Sequence, residues 1–519
     1  MLSLAILVLF LEACLAIALT VTPRVILESG QWEGIATTVP GSPNTVHKFL
    51  GIRYGAAPVR FDVAKPAPPS KELKRAVENP PACIEARNST EKQSEDCLFL
   101  NIYTPIPDGR NDRAVMIFLF GGGFQYGSAS HSMYDGSSFA ANQDVIIVVP
   151  NYRTNVFGFP GEAPGHPIDH RNLGLLDQHL AFDWVRKNIA QFGGDPKKVT
   201  LFGQSAGARA ADFHTLTMAN HTPFRAVIME SGSAELTPLA DFRRAYRNTS
   251  TDEPFMRLCR EVGCPTPHAS IACMRQIPAT KLKEGIMKLG LYFGSTFDNN
   301  TATVIDPAER RQNRRAANIS LLMGTNANEQ KVFVKREEKM TLEEYAGNVF
   351  GNRPTRDRVR ELYKVDPAGS TNFTTDVDAI AALETDYAYT CLTSREANIS
   401  ATAGYPTWRY FFNFSSPNIE SFPGSGAYHG AEIRFVFGNL IARNGGSVTE
   451  TERNLSARMQ KLWADFAKDP TKGPGWPQVT GEKDQNVGYF GMDGKLTAVK
   501  SDSIDRNCRL FQKMYSGRA

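Results

Sequence analysis

Short apolar runs rich in β-branched residues alternate along this chain with longer stretches of helical spacing. The apolar runs predict buried strands at residues 114–120, 145–149, 199–202, 226–229 and 320–323. A helical pattern over residues 175–192 precedes the third run and ends at Gly193-Gly194-Asp195-Pro196, where glycine can stop a helix and proline cannot continue one. This alternation predicts an α/β fold with a large, mainly parallel sheet and helices on both faces.

Two further segments, from about residue 241 to 307 and from 340 to 385, have mostly helical patterns. We expect them to be insertions over one end of the sheet, where loops and insertions commonly build a pocket. The sequence contains no internal repeat, no low-complexity stretch and no linker rich in proline, glycine and serine. A single domain over residues 19–519 is therefore expected.

The N-terminal segment is strongly apolar and is followed by the small residues Ala13, Ala16 and Ala18. It predicts a signal peptide over residues 1–18, because the apolar run is about half the ~20 residues needed to span a bilayer. We therefore expect a secreted, extracellular protein without a stable membrane anchor. Nine N-glycosylation sequons agree with export: Asn88, Asn220, Asn248, Asn299, Asn318, Asn372, Asn398, Asn413 and Asn454.

Cysteine usage and charge narrow the class of protein. Cys14 lies in the predicted signal peptide, and the seven remaining cysteines predict three disulfides and one free thiol in an oxidising compartment. No zinc-type Cys/His spacing occurs, and we expect neither a metal nor a cofactor. A net charge of +4 without a dense Lys/Arg run excludes a nucleic-acid partner. The sequence makes no prediction of the oligomeric state.

The strongest local motif is Gly203-Gln204-Ser205-Ala206-Gly207, a G-x-S-x-G pattern between a predicted strand and a helix-compatible stretch. A strand-to-helix turn of this kind is so tight that a side chain at either flanking glycine would clash, and it exposes the serine hydroxyl at the helix N-terminus. The alternative interpretation is a simple glycine-rich turn, since the chain has 42 glycines. The strand-turn-helix context favours Ser205 as a nucleophile.

A serine hydroxyl needs a base to remove its proton, and the motif predicts the chain order serine, acid, histidine. Four histidines follow Ser205: His214, His221, His268 and His429. The first two lie on or just beyond the helix that the serine begins, and His268 lies in an insertion containing cysteine and proline. This elimination leaves His429, in a glycine-rich loop after the predicted aromatic strand 408–412, as the general base.

Candidates for the acid and for the oxyanion hole follow two other predicted strands. Glu329 lies just after the strand that begins at residue 320, where its carboxylate would orient the histidine, although many other acidic residues also precede His429. Gly121-Gly122-Gly123 follows the first predicted strand. We expect Gly122 and Gly123, with Ala206, to donate backbone N–H groups to an oxyanion, whereas the alternative for the triple glycine is a mobile turn.

Motifs spread over nearly the whole mature chain resemble, in order, the type B carboxylesterase and cholinesterase family. They lie at residues 49–52, 94–101, 121–124, 151–153, 172–178, 193–196 and 203–207, with Glu329 and His429. The resemblance implies the α/β-hydrolase fold and cofactor-free hydrolysis of a small-molecule carboxylic ester through an acyl-enzyme intermediate, with Glu329 as the triad acid. It also implies the disulfides Cys83–Cys97, Cys264–Cys273 and Cys391–Cys508, with Cys259 left over.

The departures from the family concern the substrate. Cholinesterases carry glutamate before the nucleophile and a tryptophan in the first disulfide loop, whereas this chain has Gln204 and no aromatic residue between Cys83 and Cys97. These differences disfavour a choline ester. The short, polar loop also disfavours a lipase lid, although a lipase acting on acylglycerols is the second hypothesis. Phe120 stands where many relatives have histidine or tyrosine, and the sequence does not show how this difference affects the oxyanion loop.

A third hypothesis is a non-catalytic adhesion protein, because neuroligin-like relatives keep the fold and lose the serine. Ser205, Glu329 and His429 are all retained here together with the glycine loop. The sequence therefore favours an enzyme, and it does not identify the physiological ester.

Overall fold

The computed structural model describes residues 22–163, 165–236, 254–265, 271–298, 302–334, 340–350, 353–441, 446–481 and 485–516. The predicted signal peptide, and the sequons at Asn248 and Asn299, lie outside these residues.

The apolar runs pair side by side into one large sheet. Within the described residues, eleven strands are joined in the order β14-β13-β12-β11-β10-β9-β7-β8-β6-β4-β3, and β1, β2 and β5 form a small separate sheet. The strands are β1 (Arg24–Leu27), β2 (Gly30–Glu33), β3 (Ile35–Thr38), β4 (Thr45–Arg53), β5 (Leu73–Arg75), β6 (Phe99–Pro105), β7 (Arg113–Leu119), β8 (Ile146–Pro150), β9 (Gly194–Gln204), β10 (Ala226–Glu230), β11 (Ser320–Asn326), β12 (Thr407–Phe412), β13 (Asn486–Phe490) and β14 (Leu496–Lys500).

The centre of the sheet is parallel and its margins are antiparallel. Every pairing from β8 through β7, β9, β10, β11 and β12 to β13 is parallel. All residues of β7, β8, β10 and β11 are buried, which explains why these strands are continuous apolar runs without alternation. The predicted α/β class with a mainly parallel sheet is confirmed.

One strand is longer than the sequence indicated. The helix before it ends at Gly193, whose φ of 87° is left-handed, and β9 begins immediately at Gly194 rather than near residue 199. Pro196 lies where the register between β7 and β9 shifts, so its missing N–H interrupts no regular ladder.

Helices cover both faces of the sheet and one end of it. They are α1 (Ser137–Gln143), α2 (Asn155–Gly158), α3 (Leu173–Asn188), α4 (Ala206–Thr217), α5 (Pro254–Val262), α6 (Ile271–Gln276), α7 (Ala279–Leu289), α8 (Pro307–Gln312), α9 (Leu342–Val349), α10 (Arg353–Leu362), α11 (Asp376–Thr385), α12 (Cys391–Thr402), α13 (Ile433–Phe437), α14 (Glu450–Lys468) and α15 (Gln512–Ser516), with a π-helical turn at Asp386–Thr390. The described parts of both predicted insertions are mostly helical, as expected.

The hydrophobic core has two parts. The larger part contains the sheet and the helices against it. The smaller part lies in the second insertion and includes Leu342, Tyr363 and Leu383, packed with Phe511 and Tyr515 from the end of the chain. The insertion therefore has a core of its own.

Three disulfides are present, Cys83–Cys97, Cys264–Cys273 and Cys391–Cys508. They are the pairs that the family resemblance implied. Cys259 is a buried free cysteine in α5, and burial raises the pKa of its thiol to about 11. A thiol with so high a pKa is almost entirely protonated at neutral pH, and it is therefore a poor nucleophile.

Candidate active site

Ser205 lies on the sharp turn between β9 and α4. Its φ of 57° is in the left-handed region, which is strained for a residue with a side chain. Its backbone N–H donates to the carbonyl oxygen of Glu230 at 2.8 Å, which anchors the turn to the neighbouring strand. A Cβ at Gly203 would lie 2.6 Å from the carbonyl carbon of Gly207, and a Cβ at Gly207 would lie 1.9 Å from the Leu119 carbonyl oxygen. Both flanking positions therefore exclude a side chain.

The glycine loop after β7 lies beside this turn. A Cβ at Gly121 would be 2.9 Å from Cβ of Ser205, so the loop and the nucleophile candidate are in contact. Gly122 has a φ of 113°, a conformation open only to glycine. Among the described residues, the backbone N–H groups of Gly122, Gly123 and Ala206 donate to no other group. Three free amide donors thus lie in the two segments that meet at Ser205.

Neighbouring side chains hold the glycine loop. The Gln125 side chain donates to the carbonyl oxygens of Gly123 and Phe293. Buried Glu85, from the first disulfide loop, accepts from the Gly127 N–H at 2.8 Å. Phe120 is fully buried with its ring 4.4 Å from that of Tyr152, so it belongs to the core under the loop. These contacts hold the glycine loop against its neighbours, which favours a fixed loop over a mobile turn.

Glu329 and His429 form a hydrogen-bonded pair. Nδ1 of His429 lies 2.6 Å from Oε2 of Glu329, and the carboxylate is fully buried. A hydrogen bond to a carboxylate puts the ring proton on Nδ1, which leaves the lone pair on Nε2. The other carboxylate oxygen of Glu329 accepts from the Asn326 N–H at 2.6 Å. The acid is thereby fixed by two hydrogen bonds.

The loops that carry this pair are joined directly. Asn328 and Tyr428 form a parallel bridge, and the Asn328 N–H donates to the carbonyl oxygen of Ala427 at 3.0 Å. The Ala427 N–H in turn donates to Oδ1 of Asn328 at 3.1 Å. Each bridging residue is adjacent in sequence to one member of the pair, so the backbone contact sets the distance between acid and base.

Two further carboxyl groups are buried behind Glu329. Burial and the nearby Glu329 raise the pKa of Glu432 to about 8, and burial with the nearby Glu432 raises the pKa of Glu230 well above its usual range. Glu432 accepts from the Asn326 side chain, and Glu230 accepts from Trp463 Nε1 at 2.6 Å. Burial therefore favours the neutral form of both carboxyl groups, which limits the negative charge beside the pair.

Gln204 is the residue that the sequence did not connect with the base. Its amide Nε2 lies 3.1 Å from Nε2 of His429. Among the described residues, the Ser205 hydroxyl forms no side-chain hydrogen bond. The sequence connected Gln204 only with substrate specificity. Its position directly before Ser205 was the feature of the sequence from which a contact with His429 could have been predicted.

Aromatic side chains lie beside the pair and beside the glycine loop. The rings of Phe333 and Tyr389, from the segments that flank the second insertion, each lie 5.2 Å from the His429 ring. Tyr292, from the first insertion, approaches the glycine loop, with its ring 3.7 Å from the position of a Cβ at Gly123. The sequence did not indicate these contacts, because they depend on how these segments pack in the folded chain.

The sequons differ in accessibility. Asn88, Asn220, Asn318, Asn372 and Asn454 are exposed, whereas Asn398 and Asn413 are half-buried. The Asn413 amide donates to the Tyr489 hydroxyl at 2.6 Å. In the part of the chain that the structure describes, no helix is both long enough and apolar enough to cross a bilayer.

Comparisons with known proteins agree with this geometry. The model of the Carboxylesterase family matches residues 21–511. A cholinesterase from Mus musculus is 30% identical, over 94% of this chain and 86% of its own length. Acetylcholinesterase-1 from Trittame loki is 30% identical over 88% and 89%, and carboxylesterase 5A from Felis catus is 32% identical over 89% of each chain. The chain therefore belongs to the carboxylesterase family, and it is a carboxylic ester hydrolase.

Proposed function

We propose that Ser205, His429 and Glu329 form a catalytic triad that cleaves esters of small molecules through an acyl-enzyme intermediate. The observation that carries this proposal is the 2.6 Å hydrogen bond between Glu329 and His429, beside a strained serine turn. A buried carboxylate on Nδ1 holds the tautomer whose Nε2 can accept a proton, as a serine nucleophile requires.

In the acylation half, His429 Nε2 takes the proton of the Ser205 hydroxyl while Oγ attacks the carbonyl carbon of the ester. The carbonyl electron pair moves onto the oxygen, and the free N–H groups of Gly122, Gly123 and Ala206 stabilise this oxyanion. The intermediate collapses by breaking the bond to the alkoxy oxygen. The imidazolium returns its proton to that oxygen, and the alcohol leaves.

In the deacylation half, His429 removes a proton from water, which attacks the acyl carbon bonded to Ser205. The second oxyanion uses the same N–H donors. Its collapse breaks the bond to Oγ, the imidazolium proton returns to the serine, and the carboxylic acid leaves. Each step uses only groups of this chain and water.

The first disulfide loop supports a soluble ester as substrate over an emulsified lipid. Asp96 binds Arg53 through two hydrogen bonds of 2.6 and 2.8 Å, and Glu95 binds Arg60 at 2.7 Å. Glu85 ties the same loop to the glycine loop. A loop fixed at three points is poorly suited to open as a lid at a lipid surface.

Export and glycosylation belong to the same proposal. Three disulfides are typical of proteins that mature in an oxidising compartment. Exposed sequons at Asn88, Asn220, Asn318, Asn372 and Asn454 are open to modification. We therefore propose a secreted glycoprotein whose N-terminal segment is its signal peptide.

Replacing Ser205 with alanine tests the chemistry. We expect S205A to lose at least ~10⁴-fold in kcat/KM for short p-nitrophenyl esters and to lose covalent labelling by a fluorophosphonate. Ser138→Ala, a change of the same size at a buried serine in α1, is the matched control and should keep both activities. Undiminished hydrolysis by S205A would remove Ser205 from the mechanism.

A further inference from the structure

The proton-accepting nitrogen of His429 faces an amide in this structure. Nε2 of His429 lies 3.1 Å from Nε2 of Gln204, while Nδ1 is bonded to Glu329. An amide nitrogen only donates, so the imidazole lone pair is the acceptor of this bond. That same lone pair must receive the Ser205 proton in the proposed mechanism.

The lone pair lies in the ring plane and accommodates one well-directed donor. The hydroxyl and the Gln204 amide therefore compete for it, although they belong to adjacent residues. A net hydrogen bond is worth about 0.5–1.5 kcal/mol, which corresponds to a roughly two- to tenfold bias in the occupancy of Nε2. Competition of this size lowers the rate at which the Ser205 hydroxyl is activated but does not abolish its reaction.

The amide occupies a narrow slot. Gln204 is 8% exposed, and a Cβ at Gly121 would lie 2.5 Å from its Oε1. On the other side, a Cβ at Gly430 would lie 3.4 Å from its Nε2. The two glycines leave the space in which the amide reaches the ring, so the contact is part of the packed site rather than a chance position of a surface side chain.

Once His429 accepts the serine proton, its Nε2 carries hydrogen and becomes a donor. The Gln204 NH₂ group is also a donor, so it can no longer form a hydrogen bond with the protonated Nε2. The amide oxygen of the same side chain can accept a hydrogen bond from that N–H. Rotation about the last side-chain torsion exchanges the two. Leucine of similar size offers neither group, and glutamate offers only acceptors.

Among the residues that the structure describes, few charged or titratable groups lie around His429. Glu329 binds Nδ1, the Tyr389 ring contacts one side, and the buried carboxyls of Glu432 and Glu230 lie behind Glu329. Phe333 contacts the ring without a titratable group. Gln204 is the neighbour of Nε2, and replacing it with glutamate therefore adds a negative charge next to this nitrogen.

We infer that Gln204 is a positioning residue that occupies the proton-accepting nitrogen of His429 at rest and turns aside when Ser205 transfers its proton. This inference rests on the proposed function, because it assigns the same base and the same nucleophile. It adds a competing donor that sets how readily the hydroxyl is activated.

Gln204→Leu and Gln204→Glu test it in the full-length secreted protein. For each variant, the rate constant of fluorophosphonate labelling and kcat/KM for a short p-nitrophenyl ester are measured against pH. Q204L removes the competing donor, and we expect labelling about two- to tenfold faster at neutral pH. Q204E places a carboxylate at Nε2 that stabilises the imidazolium, so the acidic limb of kcat/KM should move to higher pH.

Gln31→Glu is the control, because it makes the same change of charge at an exposed position of β2; its acidic limb should coincide with that of the wild type. Thermal unfolding of each variant verifies the fold. Labelling of Q204L at or below the wild-type rate, or an unmoved limb in Q204E, overturns the inference. Undiminished hydrolysis by S205A would instead overturn the proposed function, so the two failures are distinguishable.

Discussion

Gly207 shows how a single missing side chain shapes the site. The helix that begins after Ser205 passes so close to β7 that a Cβ at Gly207 would lie 1.9 Å from the Leu119 carbonyl oxygen. The Leu119 carbonyl belongs to the backbone of β7, so it cannot move aside as the end of a flexible side chain could. The glycine therefore allows the helix N-terminus, with its free amide at Ala206, to lie against the glycine loop.

We expect Gly207→Ala to destabilise the protein by at least about 3 kcal/mol and to abolish ester hydrolysis, because helix and strand must separate. Gly347→Ala is the matched control: Gly347 lies in α9, where a Cβ meets nothing within 4 Å. That change should be neutral or stabilising by up to about 1 kcal/mol. Thermal unfolding and p-nitrophenyl ester hydrolysis measure both, and a stable, active G207A would contradict the expectation.

The helices α3 and α4 meet through two histidines, the half-buried His179 and the fully buried His214. His179 Nε2 lies 3.0 Å from His214 Nδ1, and His214 Nε2 lies 2.6 Å from Oε1 of Gln178. Burial lowers the pKa of His179 to about 4, and burial together with His179 lowers the pKa of His214 well below its usual range. Both rings are therefore neutral in the folded protein at neutral pH, and the helix that follows Ser205 packs on uncharged polar groups.

Acid should weaken this packing. In the unfolded chain these histidines bind protons near pH 6.5, whereas in the folded protein His179 binds one only near pH 4. The unfolded state thus holds more protons between these values, and stability falls as the pH drops through that window, by about 3 kcal/mol for His179. His179→Gln should flatten the pH dependence of the unfolding free energy between pH 6.5 and 4. Equal slopes for variant and wild type would contradict this reading.

Across the whole molecule, a disulfide ties α12, which follows the second insertion, to the end of the chain. Cys391 in α12 is bonded to Cys508 over a sequence separation of 117, whereas Cys264 and Cys273 are separated by only 9. The longer loop restricts the unfolded chain more. The same end of the chain also contributes Phe511 and Tyr515 to the smaller core.

Loop length predicts unequal contributions to stability. Removing the long-range bridge in C391S/C508S should lower the free energy of unfolding by about 4–5 kcal/mol, and C264S/C273S should lower it by about 3 kcal/mol. Denaturant unfolding of the two double variants compares them directly. A larger loss from the short bridge would show that native-state packing, rather than chain entropy, sets these values.

The central strands were predictable because they are continuous apolar runs, and the proposal of His429 as the base rests on chain order. Glu329 needed the family resemblance, since many carboxylates precede His429 and only the folded chain brings one to the ring. The contact between Gln204 and His429 depends on side-chain torsions fixed by packing against Gly121 and Gly430. No periodicity encodes such a torsion. The aromatic neighbours Phe333 and Tyr389 were missed because the packing of the segments that flank the second insertion leaves no local pattern in the sequence.

The bridge between Asn328 and Tyr428 has a mechanical consequence. Because it joins the two loops that hold the Glu329 carboxylate and the His429 imidazole, we expect thermal motion to displace these two groups together. In the proposed triad, the distance that can vary most is then the one between this pair and the turn at Ser205, and this distance sets how often the serine hydroxyl comes within reach of the imidazole.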